Sequence, residues 1–89
     1  MEVEGTFDIL RLDRPDDPEP WTYRVTFTFP GRSGAPTHRL VGDDAMRRLL
    51  QGAGVPKEAI ETALNDARAG MGVVQHVRLT RERIRALGI

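Results

Sequence analysis

One segment of the chain alternates between apolar and polar side chains at every position. Its odd-numbered residues are all apolar: Trp21, Tyr23, Val25, Phe27 and Phe29. Threonines and Arg24 hold the even positions between them. Because successive side chains of a β-strand point to opposite faces, this period of two predicts a strand over residues 21–29. Its apolar side should face the core, and its polar side should face away from it.

The segment before it predicts another strand, over residues 7–12. Its apolar residues are dense but do not alternate strictly, and a bulge near Ile9 and Leu10 would reconcile the pattern with one buried face. Residues 13–20 hold three prolines and four acidic residues, which predicts an exposed loop without a ladder of its own. The chain should therefore reach the second strand through this acidic loop.

Two further strands complete the predicted sheet. Pro30 and Pro36 bracket a glycine-containing turn, after which residues 37–41 should return as a short third strand. Residues 73–79 alternate well enough for a fourth strand, in which His76 and Arg78 face outward. The pattern therefore favours a sheet of four strands.

Three helices are predicted from apolar residues that recur at helical spacing and from capping residues at their ends. Acidic residues after Gly42 favour the start of the first helix, and Pro56 suits the first position of the second. Thr80 should cap a short third helix, with Gly88 at its C-terminal end. The buried stripes of the first two helices are Met46, Leu49, Leu50, Ala53, Ile60, Ala63, Leu64 and Ala67.

These elements predict a single α+β domain over residues 1–89. Their order is β-β-β-α-α-β-α, and each helix is apolar along one stripe only. The three helices should therefore pack on one face of a largely antiparallel four-stranded sheet. The other face of the sheet would then be open to solvent or to a partner.

Composition narrows the class of protein without specifying a function. The 89 residues include no cysteine, which excludes disulfides, thiolate metal sites and cysteine nucleophiles. No run approaches the roughly 18 apolar residues of a membrane span, and residues 1–4 do not resemble a signal peptide. We therefore expect a cytoplasmic protein with no membrane partner. Twelve of the 13 basic residues are arginine, a bias typical of GC-rich bacterial genomes.

Acidic and basic residues cancel in number, 13 against 13, but they are not evenly distributed. Residues 1–20 carry seven acids against two arginines, whereas residues 71–89 carry four arginines against one acid. This separation predicts acidic and basic faces on one small molecule.

The corner between the first two helices raises the question of DNA binding. Its residues resemble the turn and second helix of lac-repressor-class transcription regulators: Ala53-Gly54-Val55, then Ile60, Ala63-Leu64 and Asn65. In such a helix the exposed side chains would face DNA, and here they are Lys57, Glu58, Glu61, Thr62 and Asp66. Three carboxylates against one lysine would be repelled by the phosphate backbone. We therefore interpret the motif as a packing corner between two helices.

The sequence offers little for catalysis. Ser33, the only serine, lies in a turn without the strand-to-helix elbow of hydrolases. His38 and His76 lie on different strands, with no fixed spacing to a carboxylate pair, and would be the centre of any enzyme. The acidic loop has no glycine and does not match a calcium loop, and no glycine fingerprint or metal-ligand run occurs. We expect no enzyme, no metal site and no cofactor.

A basic surface is one candidate for function. Its expected members are Arg24, Arg39, His76 and Arg78 on the solvent side of the sheet, and Arg81, Arg83 and Arg85 on the last helix. Such a surface could follow a phosphate backbone, which makes nucleic-acid binding an alternative function. Sheet-based readers of single strands add exposed aromatic side chains, however, and those of residues 21–29 fall on the core side. The other alternative is a solvated face whose arginines pair with the acidic loop.

Protein association is the favoured function. A four-stranded open sheet has two edge strands, which pair with other strands unless they are protected. Trp21, at the rim of its strand beside Pro20, is the aromatic residue most suited to anchor a contact. We therefore expect a small non-enzymatic interaction domain that acts through a sheet edge or the arginine-bearing surface. Its partner would be another protein or a second copy of the chain.

Overall fold

The computed structural model describes residues 1–14, 16–31 and 36–89. The sequence expectation about Ser33 falls outside these residues. The elements follow the predicted order and confirm the α+β class. They are β1 (Glu2–Arg11), β2 (Tyr23–Thr28), β3 (Thr37–Val41), α1 (Asp43–Gly52), α2 (Lys57–Arg68), β4 (Val73–Thr80) and α3 (Arg81–Leu87).

The four strands form one antiparallel sheet in the order β3-β2-β1-β4. β1 and β2 are central, and β3 and β4 are the edges. The buried sheet residues all have odd numbers, and they share one core with the apolar stripes of α1 and α2. Ile84 and Leu87 of α3 pack against the same core. The helices therefore cover one face of the sheet, as the sequence predicts.

β2 supplies the centre of this core, and its alternation is confirmed. Tyr23, Val25 and Phe27 are at most 1% exposed. The rings of Phe7 and Phe27, which are directly opposite each other on β1 and β2, meet edge to face with centroids 5.0 Å apart. Such aromatic pairs add about 0.5–1.5 kcal/mol beyond the area that they bury.

The bulge expected in β1 is wrong. β1 pairs with β2 and with β4 in unbroken registers, so its side chains alternate without interruption from Glu2 to Arg11. Ile9 faces the core and Leu10 faces outward. Arg11 takes the inward position that the bulge would have given to an apolar residue, and it is 7% exposed.

Capping residues mark the ends of the helices. The Thr80 hydroxyl accepts a hydrogen bond from the Arg83 amide at 3.1 Å, which confirms the predicted cap of α3. Gly88 ends α3 with φ of 71°, in the left-handed region that favours glycine. Pro56 lies at the cap of α2, one residue before the helical position predicted for it.

Two ion pairs join α1 to α2. Arg47 pairs with Glu61, and Arg68 donates to the Asp43 carboxylate at 2.9 Å. Glu61 therefore helps to hold the two helices together, although it belongs to the side chains that would face DNA in a regulator-like corner.

No helix in the described part of the chain is long and apolar enough to cross a membrane.

Gly5 of β1 allows the ring of Phe29 to lie directly on the sheet. A Cβ atom at Gly5 would overlap that ring and would lie 2.6 Å from the Thr28 carbonyl oxygen. We expect Gly5→Ala to lower the free energy of unfolding by about 1–3 kcal/mol, the usual effect of overpacking a core. Denaturant unfolding of the purified chain measures this change.

Gly72 is the matched control for this substitution. No heavy atom lies within 4 Å of a Cβ built there. Gly72→Ala should therefore leave stability unchanged or raise it by a few tenths of a kcal/mol to about 1 kcal/mol. Equal unfolding midpoints for the two variants would contradict the close approach of Phe29 to β1.

Candidate interaction surface on the sheet

The face of the sheet opposite the helices is open. Its side chains are the even-numbered residues of the four strands, and none of them is buried. No described helix or loop covers them. They are Glu2, Glu4, Thr6, Asp8 and Leu10 of β1, Arg24, Thr26 and Thr28 of β2, His38 and Leu40 of β3, and Val74, His76, Arg78 and Thr80 of β4. We call this surface the open face.

The open face carries large aliphatic side chains in water. Leu10 is 38% exposed, Leu40 is 59% exposed and Val74 is 56% exposed. Leu12, which follows β1 with the same parity, is 47% exposed. Several exposed apolar groups on neighbouring strands mark contact sites more often than a single exposed leucine does, and here Arg24 lies between Leu10 and Leu40. We call these four residues the aliphatic patch.

Arg24 lies in the middle of the aliphatic patch. It is directly opposite Leu10 on one side and Leu40 on the other. A depression of about 320 Å³ lies beside it, lined in part by Asp8, Leu10, Arg24 and Val74. An exposed guanidinium between two leucines suits contact with a protein, because arginine is enriched with apolar residues in protein interfaces.

The sequence analysis missed the aliphatic patch, although a signal for it was present. Ile9-Leu10 and Leu40-Val41 are adjacent apolar pairs within strands, and neighbours in a strand point to opposite faces. One member of each pair must therefore face outward unless a bulge intervenes. Counting such pairs along the strands therefore counts the aliphatic residues that face outward.

Charged residues on the open face are only partly paired. Arg78 donates to the Glu4 carboxylate from Nε at 2.9 Å, across from β4 to β1. Asp8 accepts one long hydrogen bond, 3.5 Å, from the Thr6 hydroxyl. Arg24 forms no hydrogen bond or ion pair with another residue in the described ranges. One acid and one arginine therefore remain available beside the aliphatic patch.

His38 and His76 both lie on the open face but far apart. Thr26 separates His38 from Asp8, a distance of two strand spacings, or about 10 Å. His76 lines a cavity of about 280 Å³ together with Glu4 and Arg78. That carboxylate is held by Arg78, and no ion pair among the described residues joins either histidine to an acid.

Arg39 is not on the open face, so its expected place beside Arg24 is wrong. It is directly opposite Val25, a core residue, and therefore faces the helices. Its guanidinium lies 5.9 Å from the centre of the Phe27 ring and donates to the Gly88 carbonyl at 2.8 Å. Val41 takes the core position at the end of β3, and the parity of the strand then places Arg39 inside.

Trp21 is half-buried and makes its contacts within the chain. The Arg11 guanidinium lies 4.5 Å from the centre of its ring. Its indole nitrogen donates to the Asp17 carbonyl at 2.8 Å, which ties the acidic loop to the start of β2. The ring packs partly against the core and stays partly exposed, and its role as an anchor stays a prediction.

Arg81 and Arg85 lie on α3, away from the open face. With Val3, Phe29 and Ile84 they line a cavity of about 200 Å³ on the helix side of the sheet. The arginine-bearing surface expected from the sequence is therefore divided. Arg24, His76 and Arg78 share the open face, whereas Arg39, Arg81 and Arg85 lie on the other side.

The acidic loop does not neutralise the arginines of the open face. Arg78 pairs with Glu4 of β1 instead. The described residues of the acidic loop form local hydrogen bonds instead. Arg11 donates to the Arg14 carbonyl at 2.8 Å, and Asp17 accepts from the Arg14 amide at 2.9 Å. Among the described residues, no group of three or more histidine, aspartate or glutamate side chains could hold a metal ion.

A partly buried polar cluster lies at one end of the core, where Tyr23 is buried and the side chains of Asp43 and Arg68 are each 31% exposed. The Tyr23 hydroxyl is close to the Asp43 carboxylate and the Arg68 guanidinium, between α1 and α2. Burial, and then the neighbouring Asp43, raise the pKa of Tyr23 to about 12. The Asp43–Arg68 ion pair joins α1 to α2 beside Tyr23, whose buried hydroxyl forms no hydrogen bond with a described residue.

Comparisons with known proteins found no family model, no curated protein and no solved structure that matches the chain. We therefore infer the function from the geometry of the open face.

Tyr23 should titrate far above an ordinary tyrosine. It is the only tyrosine, so the tyrosinate absorbance of the chain reports this one group. We expect a midpoint near pH 12 in the folded chain and near pH 10 in denaturant, about the ordinary value for tyrosine. A folded-state midpoint near that of the denatured chain would contradict the burial of the hydroxyl beside Asp43.

The raised pKa also predicts a dependence of stability on pH. The folded chain holds the Tyr23 proton more tightly than the unfolded chain does, so this contribution is complete below pH 10 and is lost as pH rises towards 12. Tyr23→Phe should flatten the fall in unfolding free energy across that window. An unchanged slope in the variant would show that other groups cause the alkaline loss.

Proposed function

We propose that this chain is a small non-enzymatic protein-interaction domain that binds its partner through the open face of the sheet. The observation that carries the proposal is the aliphatic patch around Arg24, on a sheet face that no described helix covers. Burying such side chains against a partner is favourable by about 25 cal/mol per Å² of apolar surface. In the cytoplasm, where we expect the chain, a protein is the partner that offers a matching apolar surface.

The composition of the open face favours a protein over a nucleic acid. Three acids, Glu2, Glu4 and Asp8, lie along β1 among the cations, and aliphatic side chains lie towards the end of the sheet at which β1 finishes. A nucleic-acid surface would present clustered cations to phosphate and aromatic rings to unpaired bases. The described part of the open face has no phenylalanine, tyrosine or tryptophan, and its only rings are the imidazoles of His38 and His76.

The geometry also supports a binding role rather than catalysis. A general acid or base needs a partner within hydrogen-bond reach and a cleft that holds the reacting group. On the open face His38 is two strands from Asp8, and the carboxylate near His76 is occupied by Arg78.

Site-specific photo-crosslinking tests the proposal. A photoreactive amino acid in place of Leu40 should form discrete adducts with protein in cells that produce the chain. Adding Leu10→Glu to the same chain should reduce adduct yield about tenfold, because placing a charge in an apolar contact loses at least about 1.4 kcal/mol of binding. Denaturing electrophoresis and mass spectrometry of the adducts provide the measurement.

The same photoreactive residue in place of Glu58 is the matched control, since Glu58 is exposed on α2, on the helix side. It should form few adducts, and Leu10→Glu should not change them. Adducts that disappear with nuclease treatment would transfer the assignment to nucleic-acid binding. Equal yields at positions 40 and 58, or none at either, would contradict an interaction through the open face.

A further inference from the structure

The charges of the open face are sorted by strand. β1 carries the acids Glu2, Glu4 and Asp8, whereas β2 carries Arg24. Glu4 is paired with Arg78 of β4, which leaves Asp8 and Arg24 as the charges nearest the aliphatic patch without an ion-pair partner among the described residues. The two lie on neighbouring strands, with Asp8 opposite Thr26 and Arg24 opposite Leu10.

A second copy of this chain would complement this arrangement. We propose that two copies pack open face to open face, about a two-fold axis that runs parallel to the strands between β1 and β2. This inference rests on the proposed function and identifies its partner. In this dimer β1 of one copy lies over β2 of the other, so each Arg24 lies over Leu10 and beside Asp8 of the opposite copy. Each copy then contributes Leu10 and one half of two identical Arg24–Asp8 pairs to the centre of the interface, whereas Leu40 and Val74 lie towards its edges.

The distribution of charge favours this axis over a two-fold axis perpendicular to the strands. A two-fold axis in the interface but perpendicular to the strands would place β1 over β1 and β2 over β2, so acids would face acids. Like charges brought together in an interface oppose association by several kcal/mol. The parallel axis avoids that repulsion and preserves the close alignment of strands that is common between packed sheets, which lie about 10 Å apart.

The size of the open face indicates a weak dimer. Four strands about 4.8 Å apart and about 20 Å long offer each copy a footprint of roughly 400 Å². A standard stable interface buries about 800 Å² per partner, and smaller ones belong to transient complexes. The fraction of dimer should therefore become substantial only at high concentration, and added salt should lower it by screening the Arg24–Asp8 pairs.

Sedimentation equilibrium of the full chain over a series of concentrations tests this inference. We expect a reversible monomer–dimer equilibrium. Arg24→Asp or Asp8→Arg alone should raise the dimer Kd at least about tenfold, because each reversal places like charges together twice per dimer. The double variant, Asp8→Arg with Arg24→Asp, should restore the Kd to within about threefold of the original, since it exchanges the two charges without changing the axis.

Lys57→Asp is the matched control, because it makes the same change of charge at an exposed position on α2. It should leave the Kd unchanged, and circular dichroism and thermal unfolding should show every variant folded. A chain that stays monomeric at every concentration would overturn the inference. So would a dimer that is indifferent to the reversals, or one that the double variant fails to restore.

The two proposals fail in different ways. Photo-crosslinking through position 40 to a different protein only, with a monomeric purified chain, would leave the interaction function in place and overturn the second copy as partner. An adduct with the mass of two chains supports both. No adduct through position 40, together with a monomeric chain, would overturn both.

Discussion

The structure depends on one constraint, the parity of β2. This strand lies inside the sheet, and directly opposite residues of antiparallel strands share a face. Because Tyr23, Val25 and Phe27 point into the core, the residues of β1 and β3 that are directly opposite them also point into the core, and the residues between these face outward. The register between β1 and β4 orients the side chains of β4 in the same way. A single alternating segment thus orients every side chain of the sheet.

The constraint places some charged residues on the core side of the sheet and some apolar residues on its exposed side. Arg11 and Arg39 point towards the helices, where carbonyl groups and aromatic rings receive their guanidinium groups. Leu10 and Leu40 point into water. Arginine tolerates the inward position because its long stem packs among apolar groups while its donors reach acceptors at the margin of the core. The outward leucines remain exposed to water, and they make part of the open face apolar.

The sequence predicts the order and class of the elements, the buried faces of β2, α1 and α2, and the cap of α3, because each has a strong local pattern. It does not predict the faces of β1 and β3. Each of those strands contains an adjacent apolar pair beside an arginine, so polarity alone permits either orientation, and the register with β2 decides. The role of Trp21 also depends on tertiary contacts, since Arg11 and Asp17 reach it through folding of the acidic loop.

The central position of β1 and β2 has a consequence for recognition. Each has a hydrogen-bonded neighbour on both sides, so the backbone of Arg24 is held in place by pairing with β1 and with β3. Thr26 and Thr28 add β-branched side chains with few rotamers. The surface is therefore preorganised, and an incoming molecule restricts little more than the side chains of Arg24 and the leucines. Recognition of this kind needs no refolding, which favours complexes that form quickly and separate quickly.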